Sequence, residues 1–314
     1  MIWEVLVNYP YGPFFYQYLK NATIGVDYFF MLSGFGIYYS MVARDRAIRI
    51  SVKDSISFAK SKVRRIYKPY ILSLLIMIPL TVASMTQNHS IKYAVLGTGA
   101  FFGLNLTLFQ SATASLTFSH ALNGVCWFLS TLFISYLACP LFVRLTRNAS
   151  RKSGKAVIFG LVISYISAML MSALGVYLDD RFAAVGHGLL NDFYYGSPYV
   201  RCTYLLIGMM VCAAYLWLKD EADERIKISF ETAVCILSVI YFFSRRSILD
   251  AFNENLVAIR ALDLLNSMSV LQALAFGNGG GEACITPQNC NSWKERHVYL
   301  PVPLPCVPVC YSNF

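Results

Sequence analysis

Apolar runs of about 18–24 residues recur along most of the chain, and each approaches the roughly 20 residues that a helix needs to cross the hydrocarbon of a bilayer. They cover residues 24–43, 66–86, 93–110, 124–143, 155–178, 200–218, 229–243 and 256–276. Three are weaker: 93–110, which carries Asn105 and several glycines, the short 229–243, and 256–276. Only 14% of the residues are charged, against roughly 25% in an ordinary soluble domain, and 57% are hydrophobic. The chain therefore reads as all-α, a polytopic integral membrane helical bundle with about 7–8 hydrophobic segments. No glycine-rich phosphate loop, close carboxylate pair or nucleophile elbow is present, so the templates of soluble enzymes do not apply.

A net charge of +9 would suggest nucleic acid in a soluble chain. Here the cations sit between apolar runs, where the positive-inside bias accounts for them without a polyanionic partner. The connection from Arg44 to Lys68 holds Arg44, Arg46, Arg49, Lys53, Lys60, Lys62, Arg64, Arg65 and Lys68 against Asp45 and Asp54, and is expected in the cytoplasm. A second holds Arg144, Arg147, Arg151, Lys152 and Lys155. The connection 179–199, with Asp179, Asp180 and Asp192 against Arg181, reads as external. Both basic connections reach the cytoplasm only if 93–110 is re-entrant or interfacial, which is the expectation adopted.

Five cysteines (Cys126, Cys139, Cys202, Cys212, Cys235) lie in spanning runs as small buried hydrophobes, and the other four crowd beyond residue 276 without zinc spacing, so no metal site is expected. The four histidines, His89, His120, His187 and His297, lie in or beside connections and read as solvated loop residues rather than catalysts.

Two features carry chemistry. Asp27 lies inside Gly25–Tyr39, where an ionisable group in a span either pairs with a neighbouring helix or serves a function. Lys62, Arg64, Arg65 and Lys68 precede Pro69 at what reads as a helix start, with Pro69 in the first turn. Cations there oppose the macrodipole and call for an anion, either lipid headgroup or phosphorylated ligand. Arg260 and Asp263, three apart in the last run, are expected to neutralise one another.

Four stretches resemble the acyltransferase-3 family, multi-span proteins that O-acylate sugars of surface and exported polysaccharides. Gly25-Val26-Asp27-Tyr28-Phe29-Phe30-Met31-Leu32-Ser33-Gly34-Phe35 looks like the family's second helix, and Lys62 to Tyr70 is similar to the basic start of its third. Trp127-Phe128-Leu129-Ser130 with Tyr136 and Pro140 resembles its Trp-Phe-Leu helix. Ser197-Pro198-Tyr199-Val200-Arg201 leading to Leu206-Ile207-Gly208-Met209 resembles its arginine-led helix.

The resemblance implies a multi-pass protein of a cell membrane, most simply a bacterial plasma membrane. Acyl-coenzyme A is the implied co-substrate, with no bound cofactor, and a glycan hydroxyl the acceptor. Lys62 and Arg65, with Arg64 and Lys68, would hold the coenzyme A phosphates. Asp27 would be a supporting catalytic carboxylate, and Arg201 and Trp127 would face substrate, Arg201 alternatively pairing with Asp27 and Trp127 alternatively anchoring its helix at the membrane interface. Asp27 and the basic cluster are expected to form two walls of one chamber.

Two parts of the pattern lack counterparts. The family's first helix, with its catalytic histidine, is not matched in Met1 to Thr23, and its final helix is not matched after Phe276. Residues 1–23 are then an external or interfacial segment, 24–276 the acyltransferase-like domain, and 277–314 a disordered or frame-altered tail. Little activity of the isolated chain is expected. A transporter or polysaccharide-export component is the alternative class, although no inverted repeat is visible.

Overall fold

The computed structural model describes residues 23–43, 51–183, 191–219, 224–252 and 255–277. The expectations for residues 1–22 and 278–314, and for His187 and His297, lie outside these. Every long element among the described residues is helical: α1 (Thr23–Ala43), α2 (Val52–Met85), α3 (Ile91–Leu106), the short α4 (Leu116–Ser119), α5 (Trp127–Lys152), α6 (Gly154–Ala183), α7 (Pro198–Leu218), α8 (Glu224–Ala251) and α9 (Leu256–Gly277). The protein is an all-α polytopic membrane protein. Among the described residues six helices are long and apolar enough to cross a membrane: α2, α5, α6, α7, α8 and α9. At 16 residues α3 is about 24 Å long. The 21 residues of α1 are long enough to span but mix Asp27, glycines and tyrosines into the apolar run.

The structure corrects one boundary. The basic stretch 52–68 is not a connection leading to a helix start; it is the first half of α2, a helix of 34 residues. Its cations are spread along regular turns, so the macrodipole argument for an anion at a helix start lapses. Ser51 is in extended conformation at the N-cap and Asp54 lies in the first turn, where a carboxylate favours the dipole. Pro69 consequently sits in the helix interior, where it removes a backbone donor rather than occupying the first turn.

The centre of the bundle is α7, which packs against α1, α5, α6 and α9 and buries residues on all sides. Its crossing with α1 is exceptionally close. A methyl group at Gly34 would fall on the carbonyl oxygen of Leu205, and one at Gly208 on that of Met31. Small residues thus let the two backbones touch, the usual device where lipid supplies no hydrophobic drive between helices. The Ser-Gly-Phe and Ile-Gly-Met patterns are the two sides of one contact.

Between α3 and α5 the chain runs through a compact connection, 107–126. Tyr67 and Tyr70 of α2 donate to the carbonyls of Leu106 (2.7 Å) and Asn105 (2.8 Å). Ser130 of α5 donates to the Leu108 carbonyl (2.9 Å) and accepts from the Ser111 amide (3.0 Å). Non-glycine residues with left-handed backbone among the described residues are Leu108 (φ 58°), Ala114 (φ 48°) and Leu122 (φ 65°), all in this connection.

Candidate functional site

The α1–α7 crossing places Asp27 beside the first turn of α7. Asp27 is fully buried, and its two oxygens accept from different arginines, Oδ1 from Nη1 of Arg201 and Oδ2 from Nη1 of Arg260. Of the two roles left open for Arg201, the structure shows the pairing with Asp27. Arg201 also donates from Nε to the Tyr195 carbonyl (2.9 Å), and its guanidinium lies 5.2 Å from the Tyr195 ring, 5.4 Å from Tyr204 and 6.0 Å from both Phe30 and Trp127. Its Nη2 has no hydrogen-bond partner among the described residues. Arg260 donates from Nε to the Tyr194 hydroxyl (3.0 Å).

The expected Arg260–Asp263 pair is corrected. Asp263 accepts instead from Arg245 of α8, Nε at 2.9 Å and Nη2 at 2.8 Å, and from the Tyr241 hydroxyl at 2.7 Å. Spacing by three puts two residues on neighbouring tracks of one helix, and here α1 and α8 each supply a better-placed partner from across an interface. Together these pairs tie α1, α7, α8 and α9 into one seam.

A second region surrounds the basic half of α2. A cavity of about 630 Å³, open to the surface, is lined on the α2 side by Ser57, Lys60, Ser61, Arg64 and Lys68, and on its other side by Leu106, Leu108 and Phe133. Lys60, Arg64 and Lys68 recur every four residues and so share one helix face. None has a carboxylate partner among the described residues. Of the predicted cluster, Arg64 and Lys68 thus reach the cavity, joined by Lys60, whereas Lys62 and Arg65 are absent from its lining. Lys62 instead lies 5.4 Å from the Phe58 ring. Asp27 is not on the wall of this cavity either; its two oxygens are engaged by Arg201 and Arg260.

A third cluster was missed. His120 and Asp192 come together where the connection 107–126 meets the connection 191–197. The Asp192 amide donates to the Ala114 carbonyl (2.9 Å), and the Leu116 amide to Asn191 Oδ1 (2.9 Å). Asp179 fixes the second connection from α6 by accepting from the amides of Phe193 (2.7 Å) and Tyr194 (2.9 Å). Ser119 Oγ stands between the pair, 2.8 Å from Asp192 Oδ2 and 3.0 Å from His120 Nδ1. His120 Nδ1 is 3.8 Å from the same carboxylate oxygen. The carboxyl of Asp192 titrates above the ordinary carboxylate range because burial penalises its charge; Ser119, protonated His120 and the Gly196 amide offset part of that rise. Trp127 lies beside the imidazole, ring centroids 6.3 Å apart, and 5.0 Å from Tyr195. Sequence alone offered a histidine shortly before a spanning helix; its partner is 72 positions away, beyond any local spacing.

Fold and site together define a multi-pass membrane protein with a buried ion-pair seam and a separate cationic cavity. The chain belongs to the acyltransferase-3 family: the model of that family, described as an acyltransferase domain, matches residues 1–276. No curated protein and no solved structure matches the chain. Membership assigns it to a family of membrane acyltransferases.

Proposed function

We propose that this chain transfers an acyl group, acetyl in the simplest case, from acyl-coenzyme A to a sugar hydroxyl of a surface or exported glycan at a bacterial plasma membrane. The observation that carries the reading is the cavity on α2. Its cationic face suits the phosphates of coenzyme A, to which charge-assisted hydrogen bonds are the strong ones available, and the apolar wall of Leu106, Leu108 and Phe133 suits the acyl-bearing arm. Arginine is favoured in such a task for its planar fork, and lysine serves as a point charge. Asp27 has a supporting part: with both oxygens engaged, it holds Arg201 and Arg260 in place instead of acting as a free base. Arg201 and Trp127 lie on the acceptor side of the reading.

The test is equilibrium binding of radiolabelled acetyl-coenzyme A to the purified full chain in detergent. Replacing Lys60, Arg64 and Lys68 together by alanine is expected to abolish binding, and replacing Lys62 and Arg65 to leave most of it. A triple variant that binds as tightly as the unmodified chain would remove the basis of the proposal.

A further inference from the structure

The donor cavity and the His120 cluster are neighbours through α5. Phe133 on the cavity wall and Trp127 beside His120 are about 9 Å apart along that helix. The strained connection 107–126 runs between them, and left-handed non-glycine residues persist where the surroundings over-determine them, a pattern that concentrates at functional sites.

The hydrogen bonds around Ser119 decide the tautomer of His120. Ser119 Oγ has the Ser115 carbonyl at 2.7 Å and Asp192 Oδ2 at 2.8 Å, and both only accept, so its single hydrogen points to one of them. Facing His120 Nδ1 at 3.0 Å, the hydroxyl oxygen is left to accept. Nδ1 then carries the proton and Nε2 the lone pair, on a side chain that remains 30% exposed while Asp192 is almost wholly buried. Asp192 and Ser119 hold the ring from behind, and Trp127 and Tyr195 supply aromatic faces alongside it.

We propose that the Trp127–Tyr195–His120 face is the acceptor subsite and that His120 is the general base for the acceptor hydroxyl, with Ser119 and Asp192 as positioning residues. The assignment rests on the acyl-transfer reading and adds its acceptor half. The acceptor's O–H proton passes to Nε2 of His120 as its oxygen bonds to the thioester carbonyl carbon. The carbon–sulfur bond breaks, and the coenzyme A sulfur leaves with the proton returned by the imidazolium. The other histidine among the described residues, His89, is exposed in the turn after α2. His120 thus gives this chain an imidazole in a built environment.

The experiment measures two quantities on the purified full chain: binding of acetyl-coenzyme A, and transfer of labelled acetyl to a panel of methyl glycosides. His120→Gln is expected to lower turnover by about 10²–10⁴-fold, the usual worth of general acid–base catalysis, with donor binding unchanged. In His120→Gly, added imidazole is expected to restore part of the turnover, which a merely structural histidine would not permit. Undiminished transfer by His120→Gln overturns the assignment, as does donor binding without transfer to any glycoside by the unmodified chain. Loss of donor binding in the unmodified chain would instead remove the acyl-transfer reading beneath it.

Discussion

The protein treats charge in two opposite ways. In the seam of α1, α7, α8 and α9 the charges are wholly or largely buried and answered within the protein: Asp27 by Arg201 and Arg260, Asp263 by Arg245. Along α2, cations line a cavity with no carboxylate partner among the described residues. A buried charge must be paired because desolvation is costly and the interior offers no substitute for water. A cation at a cavity wall stays solvated until a ligand arrives. The first arrangement fixes helices, and the second leaves binding capacity unspent.

Substitutions break this comparison in order of effect. Asp27→Ala strands two buried guanidiniums and is expected to destabilise the fold by about 3–5 kcal/mol, seen as loss of folded protein or a large fall in thermal unfolding temperature. Replacing Lys60, Arg64 and Lys68 by alanine is expected to do the reverse. Each charged contact to phosphate contributes about 1.5–3 kcal/mol, so donor affinity falls by 10-fold or more per residue, while stability moves by no more than about 0.5 kcal/mol. Gly34→Ala or Gly208→Ala forces the α1–α7 crossing apart and should cost about 1–3 kcal/mol in unfolding experiments, with donor affinity retained.

The smallest effect concerns pH. Because burial raises the titration point of Asp192, its negative charge is lost during acidification earlier than that of an ordinary carboxylate near about 4. Below that point the imidazole has no anionic partner. Loss of that charge is therefore expected to lower the transfer rate above the ordinary carboxylate range, and Asp192→Asn, which cannot ionise, should be slow at every pH and lack that contribution, while the limb set by protonation of the general base itself persists.

Much of the architecture was legible in the sequence because lipid permits few solutions: an apolar run of spanning length must be a helix or part of a barrel. The glycines at 34 and 208 are visible as pattern, but their mutual contact is not, since it depends on two helices meeting at positions 174 residues apart in the chain. The Asp27–Arg201 pair was one of two options offered by the sequence, and only packing could choose it. Arg260 and Asp263 misled because spacing along one helix says nothing of what other helices bring closer. The basic start expected near Lys62 is displaced for a local reason: Pro69 suits a first turn, yet the helix begins at Val52 and carries Pro69 in its interior. His120 was the largest omission, as Asp192 and Ser119 acquire meaning only when two connections touch.

The account's central claim is that the donor lies against the basic half of α2 and not in the ion-pair seam. Photo-crosslinking with an acyl-coenzyme A that carries a reactive group in its acyl chain, followed by peptide mapping, tests it directly. Labels in residues 57–68, 106–108, the neighbourhood of Phe133 and the adjoining His120–Trp127 face, abolished in the Lys60, Arg64 and Lys68 variant, are the predicted result. Labels concentrated in 23–43 or 198–218 would contradict it.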